Sequence, residues 1–311
     1  MKKYLRLFKN HDDYLDFKKT NDFKLPNISH CEQENEVHYS PYISSYNGHA
    51  YVDLGLPSGT KWAKMNVGAS SEKDKGLYFA WGETQGSQVG GHKVFLWRDY
   101  KFNPSGDGST MSKYNARDKM THLELNDDAA HVNWGGDWHM PNRAQCLELL
   151  METKNGFVTD SGDFTQFEFA WSNSNGYSST TSTTATISGW NTVGYLFFKS
   201  DVSDMDAAIT SGDYLFIPIN GYCYNGVLVG VSHDDGGYDS GVWASALNSE
   251  SVEYAWDLCF SFDRASVGND SRCYGLPVRG VVGQTDEALL PYNSIQGGEV
   301  TPSNPEVGEL S

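Results

Sequence analysis

From Tyr51 onward, turn-forming pairs interrupt the chain at short intervals. They are Leu56-Pro57-Ser58-Gly59, Asn103-Pro104-Ser105-Gly106, Gly135-Gly136, Ser161-Gly162, Asn175-Gly176, Asn225-Gly226 and Gly236-Gly237. Gly reaches left-handed backbone that other residues avoid, and Pro removes a helical N–H, so long helices do not run through such points. Between the breaks lie short apolar or alternating runs: Lys61-Trp62-Ala63, Leu77 to Trp81, Tyr195 to Phe198 and Tyr214 to Pro218. These read as strands. One segment, Pro141 to Met151, is rich in helix formers. Asn142 is a suitable N-cap, with Gln145 placed to complete a capping box, and Cys146, Leu149 and Leu150 then face inward together. A second helix is expected near Met111 to Met120. Ser178 to Thr184 belongs to a Ser/Thr/Gly tract, residues 172 to 194, that reads as an exposed loop or a polar edge hairpin.

The ends differ in texture from this body. In the first 46 residues, Leu5, Phe8, Tyr14 and Phe17 recur at helical spacing, Pro26 breaks any helix, and Glu36 to Tyr39 alternates as a short strand would. That block is too small for a core of its own and reads as an adaptor that docks on something larger, or as an extension folded back on the body. Residues 284 to 311 are polar and acidic with Pro291, Pro302 and Pro305, as in an extended tail or linker.

Composition narrows the functions. The chain has 311 residues, 32 Gly, 14% aromatics and a formal net charge of -17. Such a surface repels phosphate backbones, so no nucleic-acid partner is expected. No apolar run reaches membrane-spanning length, and the basic start lacks the apolar stretch of a signal peptide, so neither membrane insertion nor export by the general secretory route is expected. Five cysteines at irregular spacing and no CxxC give no zinc ribbon or disulfide framework, although a Cys259–Cys273 bridge is compatible with the pattern. The GxSxG, HExxH and P-loop signatures are absent. His131 and His139 sit in a Trp-rich stretch and read as packing and hydrogen-bonding groups. Asp234, Asp235 and Asp239 form an acidic turn without the EF-hand pattern, so it reads as solvated rather than as a calcium loop. No cofactor is expected.

Several ordered motifs carry a likeness. Tyr51-Val52-Asp53-Leu54-Gly55-Leu56-Pro57-Ser58-Gly59-Thr60-Lys61-Trp62, Asn66 to Ala69 and Tyr78 to Glu83 resemble the opening of the Fibrobacter succinogenes major paralogous domain family. Asp127 to Arg143 resembles its central motif. Val242 to Ser245, Tyr254 to Leu258 and Arg272 to Arg279 resemble its closing pattern. The resemblance implies an α+β, C-type-lectin-like domain over residues 48–283, with short strands, many loops and one or two helices. That fold is similar to the one in formylglycine-generating enzymes and retroelement variable proteins, in which the segment before the last strand carries the ligand contacts. Here that segment is Ser240 to Tyr274. Within it Val242, Trp243, Ala255, Leu258, Phe260 and Val267 read as inward framework, with Val278 and Val281 beyond it. Ser245, Leu247, Asn248, Tyr254, Asp257, Ser261, Asp263, Asn269, Asp270 and Arg272 are the candidate ligand-binding residues, a mixture of small polar groups with Tyr that suits adaptable contacts. The sugar-chelating EPN, QPD and WND signatures are absent. Trp62, Trp81, Trp134, Trp138, Trp243 and Trp256 are expected to fill the core.

Phe23-Lys24-Leu25-Pro26-Asn27-Ile28-Ser29 followed by Glu36-Val37-His38-Tyr39-Ser40-Pro41 resembles the start of virion proteins of crAss-like Bacteroidales phages. The implied function is a non-enzymatic display and ligand-binding protein, a fibre or decoration on a virion. Its partners would be other virion proteins through residues 1–46 and a host-surface glycan or protein; self-association is open. The alternative location is a bacterial cell surface. The alternative functions are a purely structural assembly protein and a formylglycine-generating-type enzyme. The enzyme would need two closely spaced copper-holding thiols, and Cys259 and Cys273 are too far apart in sequence to match that pattern.

Overall fold

The computed structural model describes residues 44–170, 177–231 and 238–283. The adaptor block up to residue 43, the tail from residue 284, Asp234 and Asp235 lie outside the described residues. Among those described, strands dominate and three short α-helices occur, an α+β arrangement. The chain opens with β1 (Ser45–Tyr46), β2 (His49–Val52), β3 (Lys61–Ala63) and β4 (Tyr78–Phe79). Helices α1 (Ala129–Trp134) and α2 (Arg143–Met151) follow. Then come β5 (Thr153–Val158), β6 (Asp163–Ala170), β7 (Tyr177–Thr186) and β8 (Gly194–Lys199). After α3 (Met205–Ser211) lie β9 (Leu215–Pro218), β10 (Tyr222–Tyr224) and β11 (Val227–Val229). The body closes with β12 (Ser240–Leu247), β13 (Tyr254–Ser261), β14 (Arg264–Ser271), β15 (Leu276–Pro277) and β16 (Val281–Val282).

The main sheet has eight strands in the order β12-β13-β14-β7-β6-β5-β8-β9, and every pair in it is antiparallel. A smaller sheet, β1-β2-β3-β16, pairs the start of the body with its end through Trp62 and Val281. Of the Ser/Thr tract, Tyr177–Thr186 forms strand β7 in the interior of the sheet and residues 187–193 are irregular, while residues 172–176 lie outside the described residues. Strand β7 pairs with β6 and also with β14 over Tyr177 to Ser179, joining the two halves of the large sheet.

Helix α2 packs on one face of that sheet. Its residues Ala144 to Leu150 are all buried, and Cys146, Leu147, Leu149 and Leu150 share a core cluster with Val242, Leu258, Val267 and Trp62. The expected capping box is present: Gln145 N–H donates to Asn142 Oδ1 at 2.8 Å, and Asn142 N–H donates to Gln145 Oε1 at 2.9 Å. Two otherwise unpaired helix N–H groups are satisfied in a buried setting. Asn142→Ala should therefore lower unfolding stability by about 1–2 kcal/mol in urea titrations. An unchanged urea midpoint would mean that the cap contributes nothing.

The helix expected at Met111 to Met120 does not form. Asp118 accepts from the backbone N–H groups of Tyr114 at 2.7 Å, Asn115 at 3.0 Å and Met120 at 3.0 Å, and Asn115 Oδ1 accepts from Arg117 N–H at 2.8 Å. These side chains offer the backbone an alternative to helical bonding, and Tyr114 and Lys119 both adopt φ of 58°. The segment instead supplies Met111 and Tyr114 to a second core cluster. That cluster is aromatic: Trp81, Tyr100, Phe102 and Tyr114 meet edge to face at 5.1–5.7 Å. Trp62, Trp81, Trp138 and Trp243 are fully buried, as expected for core tryptophans, while Trp134 and Trp256 are half-buried. His131 and His139 bond backbone oxygens through Nδ1, of Trp138 at 3.2 Å and Asp137 at 2.9 Å.

Candidate functional site

Side chains along a strand alternate between faces, so register decides which residues of Ser240 to Tyr274 share a surface. Val242, Leu258 and Val267 lie side by side across β12, β13 and β14 and point into the core beneath α2. All eight expected framework residues are buried. Trp243, Asp257 and Gly268 form the next row, and Gly241, Cys259 and Ser266 the row beyond. These residues, with Ala255 and Asp270, make up the opposite face.

The ten candidate contacts scatter across this frame. Four are corrected by burial. Arg272 is 0% exposed, Asp257 1%, Leu247 5% and Ser245 9%. Leu247 belongs to the aromatic core cluster. Ser245 is locked by its backbone to Pro141 O at 2.8 Å and to Leu123 N–H at 2.9 Å. Arg272 is consumed by internal partners: it donates to Tyr100 Oη at 2.9 Å, to the carbonyls of Tyr114 at 2.9 Å, Val252 at 2.8 Å and Lys113 at 3.0 Å, and its guanidinium lies 4.8 Å from the Trp81 ring centre. None of the four exposes its side chain to a ligand. The other six are at least partly exposed but do not share one surface. Ser261 and Asp270 lie on the Asp257 face, Tyr254 and Asn269 on the core-side face, and Asn248 and Asp263 in turns. The Asp263 carboxylate accepts from Ser261 Oγ at 2.6 Å, and Asn248 Oδ1 accepts from Glu250 N–H at 3.1 Å.

What the fold does bring together is an acidic face with tyrosines beside it. Asp257 Oδ2 accepts from Cys259 Sγ–H at 2.9 Å, and its Oδ1 has no hydrogen-bond partner among the described residues. Two glycines make the room. A Cβ on Gly241 would lie 2.8 Å from Asp257 Oδ2, and one on Gly268 would lie 2.4 Å from Cys259 Sγ. Burial pushes the Asp257 carboxyl well above its ordinary range, and Asp270 pushes it further. Asp270 is pushed up to about 6, first by burial and then by Asp239. Asp239 is also raised by burial, with Arg264 pulling the other way. Burial and then Asp257 raise the Cys259 thiol, so it stays protonated and un-nucleophilic at neutral pH.

Tyr222 and Tyr274 stack at 5.4 Å, and Tyr224 leans on Tyr274 at 5.0 Å. Asp239 and Asp270 add to the burial that raises the Tyr222 hydroxyl, and Asp270 acts on Tyr274 as well, which ties the tyrosines to the carboxylates. Tyr222 and Tyr224 fall outside the segment singled out from the sequence. Their alternating Tyr222-Cys223-Tyr224 between Gly221 and Gly226 was the available signal.

Cys146, Cys223, Cys259 and Cys273 are free thiols, so the compatible Cys259–Cys273 bridge does not form. Among the described residues, no group of three or more His, Cys, Asp and Glu side chains is placed to hold a metal ion, and no helix is long and apolar enough to cross a membrane. Comparison with protein-family models, with curated proteins and with solved structures finds no match to the chain.

Proposed function

We propose that the chain is a non-enzymatic binding and display module with a C-type-lectin-like body, a divergent member of the Fibrobacter succinogenes major paralogous domain family carried on a virion. Residues 1–46 anchor it to other virion proteins, and the partly exposed margin of β13 and β14 at Asp270, beside Tyr222 and Tyr274, meets a host-surface glycan or protein. The observation that carries this reading is the carboxylate group of Asp239, Asp257 and Asp270 beside stacked tyrosines. A sheet needs no such group for stability, because buried like charges oppose one another. A binding surface gains from it, since Tyr supplies rigid amphipathic area and the carboxylates supply charge-assisted acceptors. Asp257 lies buried beneath this surface with its carboxyl raised by burial, while Asp270, Tyr222 and Tyr274 make the contacts.

Binding of the purified full chain to Bacteroidales cells tests this, with Asp270→Asn combined with Tyr222→Ala as the variant. The expected result is a loss of roughly tenfold or more in cell-associated protein. Equal binding by variant and parent removes this face as the contact surface. Co-purification with virus particles without any cell binding favours the purely structural alternative.

A further inference from the structure

Two adjoining cavities of about 370 and 330 Å³ lie in a different part of the body and share Ala50 and Met65 in their walls. Each is within the range of small-ligand sites, roughly 300–1,000 Å³. The first is lined by Lys64, Glu72, Lys73, Trp190, Tyr214 and Phe216. Trp190 meets Phe216 edge to face at 4.9 Å and Tyr214 at 5.9 Å, so three rings build one end of the groove. The indole is held by Nε1–H donating to Thr192 O at 2.5 Å. At the far end of the second cavity, His49 stacks on Trp134 at 4.4 Å, beside Asn66 and Asn133.

The polar groups between these ends are unusual for a merely structural cleft. Lys64 is 5% exposed, and its Nζ donates to Gly212 O at 2.6 Å and sits 4.2 Å from the Tyr214 ring centre, with no ion pair among the described residues. One of its three N–H donors is used by that carbonyl. Glu72 neighbours the Tyr214 hydroxyl, and its Oε2 is shielded from solvent without a well-formed hydrogen bond among the described residues. A buried acceptor without a donor costs about 1–3 kcal/mol, and a ligand that supplies the donor recovers it.

We infer that this groove is a saccharide-binding site that takes a short, uncharged pyranose chain. The ligand must present a flat apolar face to the rings and must offer both donors and acceptors between them. Hydroxyl groups do both at once. An aliphatic or plain aromatic ligand leaves Glu72 Oε2 and the Lys64 N–H groups unpaired. A strongly charged ligand gains little, because Lys64 already donates to Gly212 O and Lys73 to Asn191 Oδ1, while Glu72 in the same wall repels anions. Aromatic walls at both ends fit a chain of several sugars rather than one ring.

Saturation-transfer NMR on the full chain, with tri- to pentasaccharides of glucose, galactose, mannose and N-acetylglucosamine, tests the assignment. At least one series should show transfer and a measurable Kd. Trp190→Ala should weaken it roughly tenfold, the equivalent of ~1.4 kcal/mol, while Trp190→Phe keeps most of the affinity. Glu72→Gln, a half-exposed position that keeps side-chain size, should weaken it severalfold and decides the matter where Trp190→Ala fails to fold. Asp270→Asn, on the acidic face, should leave saccharide binding unchanged, so this site and that face fail or stand separately. No transfer with any saccharide at millimolar concentration overturns the proposal, as does parental affinity in both the Glu72→Gln and the folded Trp190→Ala protein.

Discussion

Arg272→Ala leaves little or no folded, soluble protein. Arg272 sits in the turn directly after β14, fully buried, and bonds Tyr100, Lys113, Tyr114 and Val252, groups far apart in sequence. Its own backbone adds two ties, Trp81 N–H to Arg272 O at 2.9 Å and Arg272 N–H to Glu253 O at 3.0 Å. The guanidinium therefore joins the irregular 100–114 segment to the end of the large sheet. Truncation strands three carbonyls, leaves the Tyr100 hydroxyl only its bond to Trp81 O at 2.8 Å, and removes the cation from the Trp81 face. Breaking a buried network of this kind costs about 3–5 kcal/mol, a large share of the roughly 5–15 kcal/mol that holds a domain together. Arg272→Lys should rescue poorly, because one ammonium cannot reproduce the planar fork that reaches four acceptors. Soluble yield and urea unfolding of the two variants check this. A well-folded Arg272→Ala protein within about 1 kcal/mol of the parent would mean that the network is not a structural tie.

Local patterns were readable in the amino acids, and long-range ones were not. The α2 cap was legible because Asn142 and Gln145 act within one turn. The inward positions Val242, Leu258 and Val267 were legible because apolar alternation marks a sheet face. The contact residues come from the segment that the family resemblance points to, without strand parity. Tyr254 and Asp257 are an odd number of positions apart, so on one strand they face opposite ways, and that much was available from spacing. Burial of Arg272 and Lys64 was not available. Cations default to the surface, and these two go inside only because carbonyls from residues distant in sequence meet them there. The saccharide groove was hidden for the same reason, since Ala50, Lys64, Trp190 and Phe216 come from separate strands and loops. The Met111 to Met120 segment misled through its composition: Asn115 and Asp118 capture backbone N–H groups that a helix would otherwise use.

Asp257→Asn makes the protein more stable at pH 8 and leaves it nearly unchanged at pH 4. In the unfolded chain Asp257 and Asp270 titrate as ordinary carboxyls, near 3.9. In the folded protein both are raised, Asp270 to about 6 and Asp257 well above the ordinary range, with burial the first cause in each. The folded state thus binds more protons than the unfolded state between those limits, and stability falls as pH rises through them. The stabilising, protonated condition is complete below about pH 4 and is lost as pH climbs past about 6 for Asp270 and higher still for Asp257. For Asp270, half-exposed at the surface, solvent screening reduces the effect to about 1–2 kcal/mol. Asp257 is fully enclosed, so its change is the larger. Asparagine keeps an oxygen to accept from Cys259 and removes the charge that Asp270 and Asp239 oppose. The measurement is the difference in Tm between variant and parent across pH 4 to 8, which cancels the titrating groups that do not interact with Asp257. A difference that grows with pH is expected, and a flat difference would sink the claim that burial and neighbouring carboxylates raise the Asp257 carboxyl in the folded protein. Where the variant gains stability and loses cell binding together, the strained carboxylates are retained for contact and not for folding.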